Sequence, residues 1–243
     1  ISTVLMISVF VISNQLEFMN NKDKGFDIKN VFVVQAPIVK DTTWNAKRKT
    51  LELFKEKCRE LPFVIQVTSS TTVPGEEYRQ ETYLSLPDQN NKSMVHQNGV
   101  DEYFFELYAV KFMAGHNFVP DASWKNRSSI ILNESVVRAL GIGDFEKMIN
   151  AKITDHESNE VYDLIGIVSD YHQTSVKYNM RPIAFKYNAF RGHFSLRLKE
   201  EDLNEIQLEE KVSAIEQKWK QTYQDASFDY FFLEEKFAAQ DRE

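Results

Sequence analysis

Three consecutive residues, Asp170, Tyr171 and His172, are the only group in the chain whose types and spacing invite an acid–base interpretation. They follow residues 161–168, an apolar stretch that predicts a strand. On an extended segment, residues two apart point to the same face, so the Asp170 carboxylate could orient the His172 imidazole as a general base. The sequence places no nucleophile beside this pair. We therefore interpret Asp170, Tyr171 and His172 as an interface or structural motif, and we expect no catalytic residue.

The histidines do not form a recognisable metal centre. They are spread singly along the chain, at His96, His116, His156, His172 and His193. None of them has the spacing that would place two imidazoles on one face of a helix. The chain also lacks a glycine-rich phosphate loop and a Gly-x-Ser-x-Gly motif. We expect no bound metal, no cofactor and no ATP hydrolysis by this chain.

Composition and charge bound the possible partners. The 243 residues carry a net charge of −7, which would repel the phosphate backbone of a nucleic acid. With 42% hydrophobic and 13% aromatic residues, the chain can bury a substantial core. The single cysteine, Cys58, excludes an internal disulfide framework, and its helical spacing with Leu51, Phe54 and Leu61 predicts a buried position. These values predict a globular protein that does not bind nucleic acid.

The first residues stand out by their lack of charge. Residues 1–12 (ISTVLMISVFVI) would rise about 18 Å as a helix, whereas a bilayer core needs about 30 Å. Two interpretations stay open: a buried first helix of a soluble protein, or the outer part of a transmembrane helix. The abrupt polar character of residues 15–24 favours a helix that leaves a membrane and ends at Gly25. The residues alone leave both interpretations open.

The elements that would position these residues repeat a β-α-β order near both ends of the chain. The first unit comprises a strand at residues 30–36, an amphipathic helix at 44–60 and a strand at 63–70. The second comprises a strand at residues 193–198, a helix marked by apolar residues from Leu208 to Trp219, and a strand at 228–233. Two units of similar size predict one split α/β sheet with helices on one face, as in ferredoxin-like folds.

Between the two units, residues 73–180 carry short strands and turn residues and predict a mainly β insertion. The strands are expected at residues 83–86, 94–100, 130–132 and 161–168. Asp101 and Asn133 each precede a short helical segment and predict helix caps. The expected fold is α+β, with a split β-α-β sheet formed by residues 26–72 and 181–243.

Several segments together resemble a known family. They are residues 22–27 (KDKGFD), 61–62 (LP), 69–70 (SS), 74–75 (PG), 101–104 (DEYF), 114–118 (AGHNF), 131–134 (ILNE), 165–172 (IGIVSDYH) and 228–233 (FDYFFL). In order and spacing they resemble the MacB-like periplasmic core domain of FtsX-like ABC transporter permeases, in the version common in Bacteroidetes. The resemblance covers essentially the whole chain. It departs from the family pattern at His116, where an arginine is expected, and at Ala109, where a glycine is expected.

This resemblance implies an architecture and a location. Residues 26–72 and 181–243 would form a porter-like α/β subdomain, and residues 73–180 an inserted, mainly β, sabre-like subdomain. Residues 1–25 would be the end of the first of four transmembrane helices and its N-terminal stalk helix, and residues 234–243 would begin the return stalk to the second. The domain would lie on the periplasmic side of a bacterial inner membrane.

The resemblance also implies partners and a function. The expected partners are the ATP-binding subunit of the transporter, a second permease copy and a periplasmic or outer-membrane protein. The domain would couple ATP-driven motion of that subunit to export, extraction or signalling at the outer face of the membrane. The alternative is a soluble or membrane-tethered ligand-binding or sensory domain. The two differ in whether residues 1–12 are loosely packed in the isolated domain or enclosed in its core.

Overall fold

The computed structural model describes residues 25–37, 43–87, 91–120, 126–141, 143–174, 179–187, 192–199 and 205–240. These residues form eleven strands and six helices, so the predicted mixture of α and β structure is confirmed. The apolar segment at residues 1–12, the stalk up to residue 24 and residues 241–243 lie outside them, and the predictions for those segments stay predictions. None of the helices described is both long and apolar enough to cross a bilayer.

The elements follow the chain in this order. The strands are β1 (Val31–Gln35), β2 (Val64–Ser70), β3 (Glu81–Ser85), β4 (Ser93–Val100), β5 (Phe112–Gly115), β6 (Ser129–Asn133), β7 (Lys152–Asp155), β8 (Glu160–Val168), β9 (Ile183–Tyr187), β10 (His193–Leu198) and β11 (Tyr230–Phe232). The helices are α1 (Trp44–Arg59), α2 (Phe104–Leu107), α3 (Glu134–Ala139), α4 (Phe145–Met148), α5 (Glu205–Thr222) and α6 (Leu233–Gln240).

Both β-α-β units contribute to one antiparallel sheet, which we call the open sheet. Its strand order is β11-β1-β10-β2, so strands of the first unit (β1, β2) alternate with strands of the second (β10, β11). The two strands of each unit run parallel with one strand between them. A parallel connection needs a crossover, which α1 and α5 provide.

A hydrophobic core lies between these two helices and the open sheet. The Phe54 ring of α1 meets Phe194 edge to face at 4.7 Å and Trp219 of α5 at 5.2 Å. Cys58 is fully buried beside them, as its spacing predicts, and burial raises the pKa of its thiol to about 12. Each large apolar side chain buried here contributes about 1.5 to 3 kcal/mol. The amphipathic stripe of α1 therefore determines which face of the helix meets the sheet.

The mainly β region forms a closed six-stranded barrel. Its strands follow the order β4-β3-β7-β8-β6-β9, and β9 pairs in parallel with β4 to complete the circle. Strand β5 pairs with the last three residues of β8, Gly166 to Val168. The barrel interior is filled by fully buried apolar side chains, which include Leu84, Val95, Leu132, Leu164 and Ala184. Closure gives each of these six strands a paired neighbour on both sides.

Strand β9 differs from the predicted division of the chain. We placed residues 181–243 with the α/β part, but Ile183–Tyr187 pairs with β4 and β6 of the barrel. A short run of buried apolar residues fits any buried strand, so its local pattern does not specify its partner. Likewise the predicted strand at residues 228–233 is shorter, because Leu233 already begins α6.

The open sheet and the barrel share one core. Ser70 of β2 pairs with Val100 of β4, which makes the sheet continuous between them. A single buried cluster contains Val33 of the open sheet, Phe185 of the barrel, and Phe104 of α2. Ala109, which replaces the glycine of the family pattern, follows α2 with φ at 53°, in the left-handed region that glycine prefers.

Candidate functional site: the hub loop

A loop after β2, residues 73–78, contacts the segment after β8, both the barrel and the open sheet, and helix α6, and we call it the hub loop. The Gly75 amide donates a hydrogen bond to the Gln173 carbonyl at 2.6 Å. The Gln173 side-chain amide donates to the carbonyls of Val73 and Glu76 at 2.8 and 2.9 Å. The Tyr78 hydroxyl donates to the Gln173 Oε1 at 2.8 Å. These bonds join the hub loop to the segment that follows β8.

The first described residues pack against the same segment. A Cβ atom on Gly25 would lie 2.6 Å from the Asp170 carbonyl oxygen, and the φ of Gly25 is 79°. Both the close approach and the backbone conformation require glycine at this position. Next in the chain, the Phe26 ring contacts Tyr171 edge to face at 5.4 Å and Phe237 of α6 at 5.5 Å. The entry into the open sheet is thereby fixed beside the hub loop.

Helix α6, the last described element, contacts the hub loop through an ion pair and through a packed aromatic ring. The Lys236 ammonium forms an ion pair with Glu76 and lies 4.1 Å from the centre of the Phe231 ring. The Phe237 ring lies 3.2 Å from where a Cβ on Gly75 would be, and Phe237 itself is 1% exposed. The first described residues, Gly25 and Phe26, and the last described helix, α6, therefore lie together beside the hub loop.

The three residues of the Asp170–Tyr171–His172 motif have different surroundings: Asp170 bonds to α3, whereas Tyr171 and His172 are buried. The Asp170 carboxylate accepts hydrogen bonds from the Ser135 amide at 2.9 Å and hydroxyl at 2.7 Å, and from Arg138 at 3.2 Å, all on α3. Tyr171 is 1% exposed, and its hydroxyl lies 3.2 Å from that of Tyr78. Burial raises the pKa of Tyr171, so this phenol stays protonated. His172 is buried as well.

A second polar centre, around Asp101, was not foreseen as such. Its carboxylate accepts hydrogen bonds from the Lys55 ammonium at 2.8 Å, from the Ser69 amide at 2.8 Å and from the Thr68 hydroxyl. Asp101 accepts a hydrogen bond from the Tyr103 amide at 3.0 Å, but the predicted helix cap at Asp101 is wrong, because Tyr103 is the residue at the cap position of α2. Helix α2 has no side-chain cap at its own first position.

The Asp101 centre joins three elements: α1, β2 and the end of β4. Lys55 is fully buried, and burial alone would lower the pKa of its ammonium. The charges of Asp101 and Glu52 outweigh burial and raise that pKa, so Lys55 is cationic. A signal for this centre was present in the sequence, because Lys55 follows Leu51 by four residues and therefore lies on the buried stripe of α1.

The described residues offer little else for ligand chemistry. Within them, no group of three or more metal-ligating side chains comes together. A groove of about 350 Å³ runs beside α2 and is lined by Ile65, Glu106 and Arg197 among others. The Arg197 guanidinium already donates to three backbone carbonyls, of Asp27, Lys29 and Leu107. Its donors therefore stabilise the entry segment, residues 25–30 that lead into β1, and the end of α2, rather than point to a ligand.

No protein-family model matches the sequence, and no curated protein matches it significantly. Solved structures with the same fold do exist. The periplasmic region of MacB from Actinobacillus actinomycetemcomitans superposes with a TM-score of 0.58 at 13% identity, over 88% of this chain and 93% of that one. A domain assigned to a permease protein of Porphyromonas gingivalis gives 0.51 at 15% identity, over 84% and 90%. The extracellular domain of the ABC-type transporter YknZ from Gram-positive bacteria gives 0.54 at 10% identity, over 82% and 97%. The resemblance expected from the sequence is thus confirmed at the level of the fold, which this chain shares with the periplasmic or extracellular domains of MacB and YknZ.

Proposed function

We propose that this chain is the extracytoplasmic domain of an ABC transporter permease, anchored in a bacterial inner membrane, and that it transmits motion rather than catalyses a reaction. The hub loop is the observation that carries the proposal. Gly25 and Phe26, where the described chain begins, and α6, where it ends, pack on this loop or on the segment bonded to it. Two membrane helices continuing from these points would act on one set of contacts.

In this mechanism, the hub loop passes a displacement to both halves of the domain. Towards the barrel, Glu77 pairs with Arg181, two residues before β9, and Tyr78 stacks on His96 of β4 at 5.2 Å. Towards the open sheet, Glu76 approaches His193 of β10. Packed interfaces of this kind shift between discrete arrangements instead of deforming continuously.

The Asp101 centre would act as the joint about which the open sheet and the barrel change their relative orientation during such a shift. Its buried ion pair ties α1 to the turn that leaves β4, and Ser69 and Thr68 anchor the same carboxylate to β2. A buried charge pair tolerates little separation, because each uncompensated charge is costly in the interior. The open sheet and the barrel would therefore each move as a unit about this centre, which stays intact.

The finer assignments belong to this proposal. The open sheet with α1 and α5 corresponds to the porter-like part, and the barrel, including β9, to the sabre-like part. Partners would be the ATP-binding subunit that drives the motion, a second permease copy and a periplasmic or outer-membrane protein. The Asp170–Tyr171–His172 motif would serve as a structural link between the barrel and the hub loop.

The test is a distance measurement in the permease reconstituted with its ATPase in lipid nanodiscs. The single cysteine of the chain, Cys58, is fully buried, so cysteines introduced at exposed Ser158 of the barrel and Ser213 of α5 can carry spin labels. We expect the distance between the labels to change when ATP binds. Phe237→Ala should reduce that change, and Leu53→Ala, on the exposed side of α1, should not. A distance unaffected by ATP while the ATPase is active would refute the coupling role.

A further inference from the structure

One carboxylate oxygen at the hub loop is shared by two groups that can carry positive charge. The Glu76 Oε1 lies 2.5 Å from the Lys236 ammonium and 3.5 Å from Nε2 of His193. Lys236 belongs to α6, whereas His193 begins β10 in register with Gln35 and Ser70. The lysine side chain is 29% exposed and the histidine side chain only 4%.

This arrangement makes the two groups competitors for Glu76. With a neutral imidazole, Glu76 has one cation beside it and holds α6 against the hub loop. A protonated His193 would donate a hydrogen bond to the same oxygen and place a second cation next to Lys236. Because only Lys236 reaches water, it is the partner that can leave and be solvated.

We propose that His193 is a pH-sensitive switch, which on taking up a proton displaces Lys236 from Glu76 and loosens α6 from the hub loop. The switch goes beyond the proposed function and acts whether or not the chain serves a transporter. Lys236 also loses its approach to the Phe231 ring when it moves away. A fall in external pH would thereby change how firmly the last described helix is attached.

The surrounding groups support the direction of the switch. Burial lowers the pKa of His193 from its usual 6.5, Glu76 opposes this shift, and Lys236 and Arg79 add to it. Among the described residues, the partners of His193 in strand pairing and ring contact are uncharged, namely Ser70 of β2, Gln35 of β1 and Phe231 of β11. The imidazole is therefore neutral near pH 7. Since the unfolded chain binds the proton more readily, stability is present above pH 6.5 and is lost as pH falls below it.

Hydrogen exchange of α6 in the 243-residue chain tests the proposal. Protection factors, corrected for the intrinsic exchange rate, would be compared at roughly pH 7.5 and pH 5, because the pKa of His193 lies below the usual histidine value. We expect the protection of α6 to fall roughly fivefold at the lower pH, the scale of one partly exposed ion pair. His193→Gln, which cannot be protonated, should abolish this fall, and His116→Gln, at an exposed histidine, should leave it intact.

Lys236→Met provides a second, independent test. It keeps the length of the side chain but removes the displaced cation, so α6 should show the lower protection at both pH values. This variant decides the matter if His193→Gln does not fold. The proposal is wrong if α6 of the unmodified chain has the same protection at both pH values. It is also wrong if the full fall in protection persists in either His193→Gln or Lys236→Met.

Discussion

At the scale of single residues, the Asp101 carboxylate accepts more hydrogen bonds than the Asp170 carboxylate, which the sequence singles out. It receives a buried ammonium, two hydroxyls and two backbone amides from β2 and the start of α2. Hydrogen bonds to charged groups contribute about 1.5 to 3 kcal/mol each, and an unpaired buried charge costs more than they return. The contacts of this one carboxylate therefore stabilise the joint between the open sheet and the barrel.

Asp101→Asn should lower the free energy of unfolding by about 3 kcal/mol, because it leaves the Lys55 ammonium buried with only Glu52 beside it. Urea denaturation measures the loss. Adding Lys55→Met to the same chain should recover much of it, since no buried charge then remains. The matched control is Asp144→Asn, in an exposed pair with Lys147, where we expect less than about 1 kcal/mol. Equal losses in the two asparagine variants would contradict this account.

A second carboxylate gives the barrel a defined response to acid. Burial would raise the pKa of Asp155, but hydrogen bonds from Lys186, Thr82 and the Glu157 amide outweigh it and lower the pKa to about 2. Because the folded-state pKa lies below the usual 3.8, the carboxylate stabilises the fold above that pH. The stabilisation is lost as pH falls from 3.8 towards 2.

Lys186→Met should move acid unfolding to higher pH, because Asp155 then loses its cationic partner and its pKa rises. Circular dichroism across an acid titration gives the midpoint. Lys152→Met, which breaks an exposed ion pair with Asp163 in the same barrel, should leave the midpoint in place. The explanation fails if both lysine variants shift it alike.

At the scale of elements, the docking of the entry segment onto residues 170–171 depends on the absence of a side chain at Gly25. Gly141, after α3, has nearly the same backbone conformation, with φ at 81° against 79°, but open space around its Cα. The pair separates two effects that usually occur together. Strain of the left-handed backbone is common to both positions, and close packing is specific to Gly25.

Gly141→Ala should therefore cost about 1 kcal/mol, the strain of a left-handed alanine. Gly25→Ala should lower the free energy of unfolding by an additional amount of about 1 to 3 kcal/mol, because the new methyl group overlaps the Asp170 carbonyl oxygen. Chemical denaturation of the two variants under identical conditions provides the comparison. If both alanines cost the same, the entry segment is not held by this contact.

At the scale of the whole molecule, the shared core makes the open sheet and the barrel one folding unit. The buried cluster that contains Val33, Phe104 and Phe185 crosses the boundary between them, and β2 and β4 are joined by backbone pairing. Two units with separate cores would unfold independently, whereas residues packed into one cluster lose their contacts together.

A cavity in the barrel should then weaken the open sheet equally. Leu132→Ala, at a fully buried position in β6, should cost about 2 to 5 kcal/mol. Native-state hydrogen exchange should report that loss in amides of β1 and β10 as well as in the barrel. Leu53→Ala, at a side chain that is 43% exposed, should change stability by less than about 0.5 kcal/mol. Unchanged protection in β1 would show that the two parts unfold separately.

The sequence by itself determined the secondary structure of the two β-α-β units and the position of Cys58. The strand expected at residues 30–36 is β1 at Val31–Gln35, and the helix expected at 44–60 is α1 at Trp44–Arg59. Asn133 caps α3 as predicted, since its side chain accepts from the Val136 amide. These features are encoded locally, because apolar periodicity and capping depend on residues within a few positions of one another.

Only the tertiary structure decided the closure of the barrel, the partners of β9, the Asp101 centre and the hub loop. Each depends on residues far apart in the chain, such as Gln173 with Val73 or Lys236 with Glu76. Such contacts follow from strand register and from how the two sheets pack, and a strand of the same local pattern can pair in several places. The meeting of Gly25, the hub loop and α6 is therefore a property of the folded chain rather than of any segment.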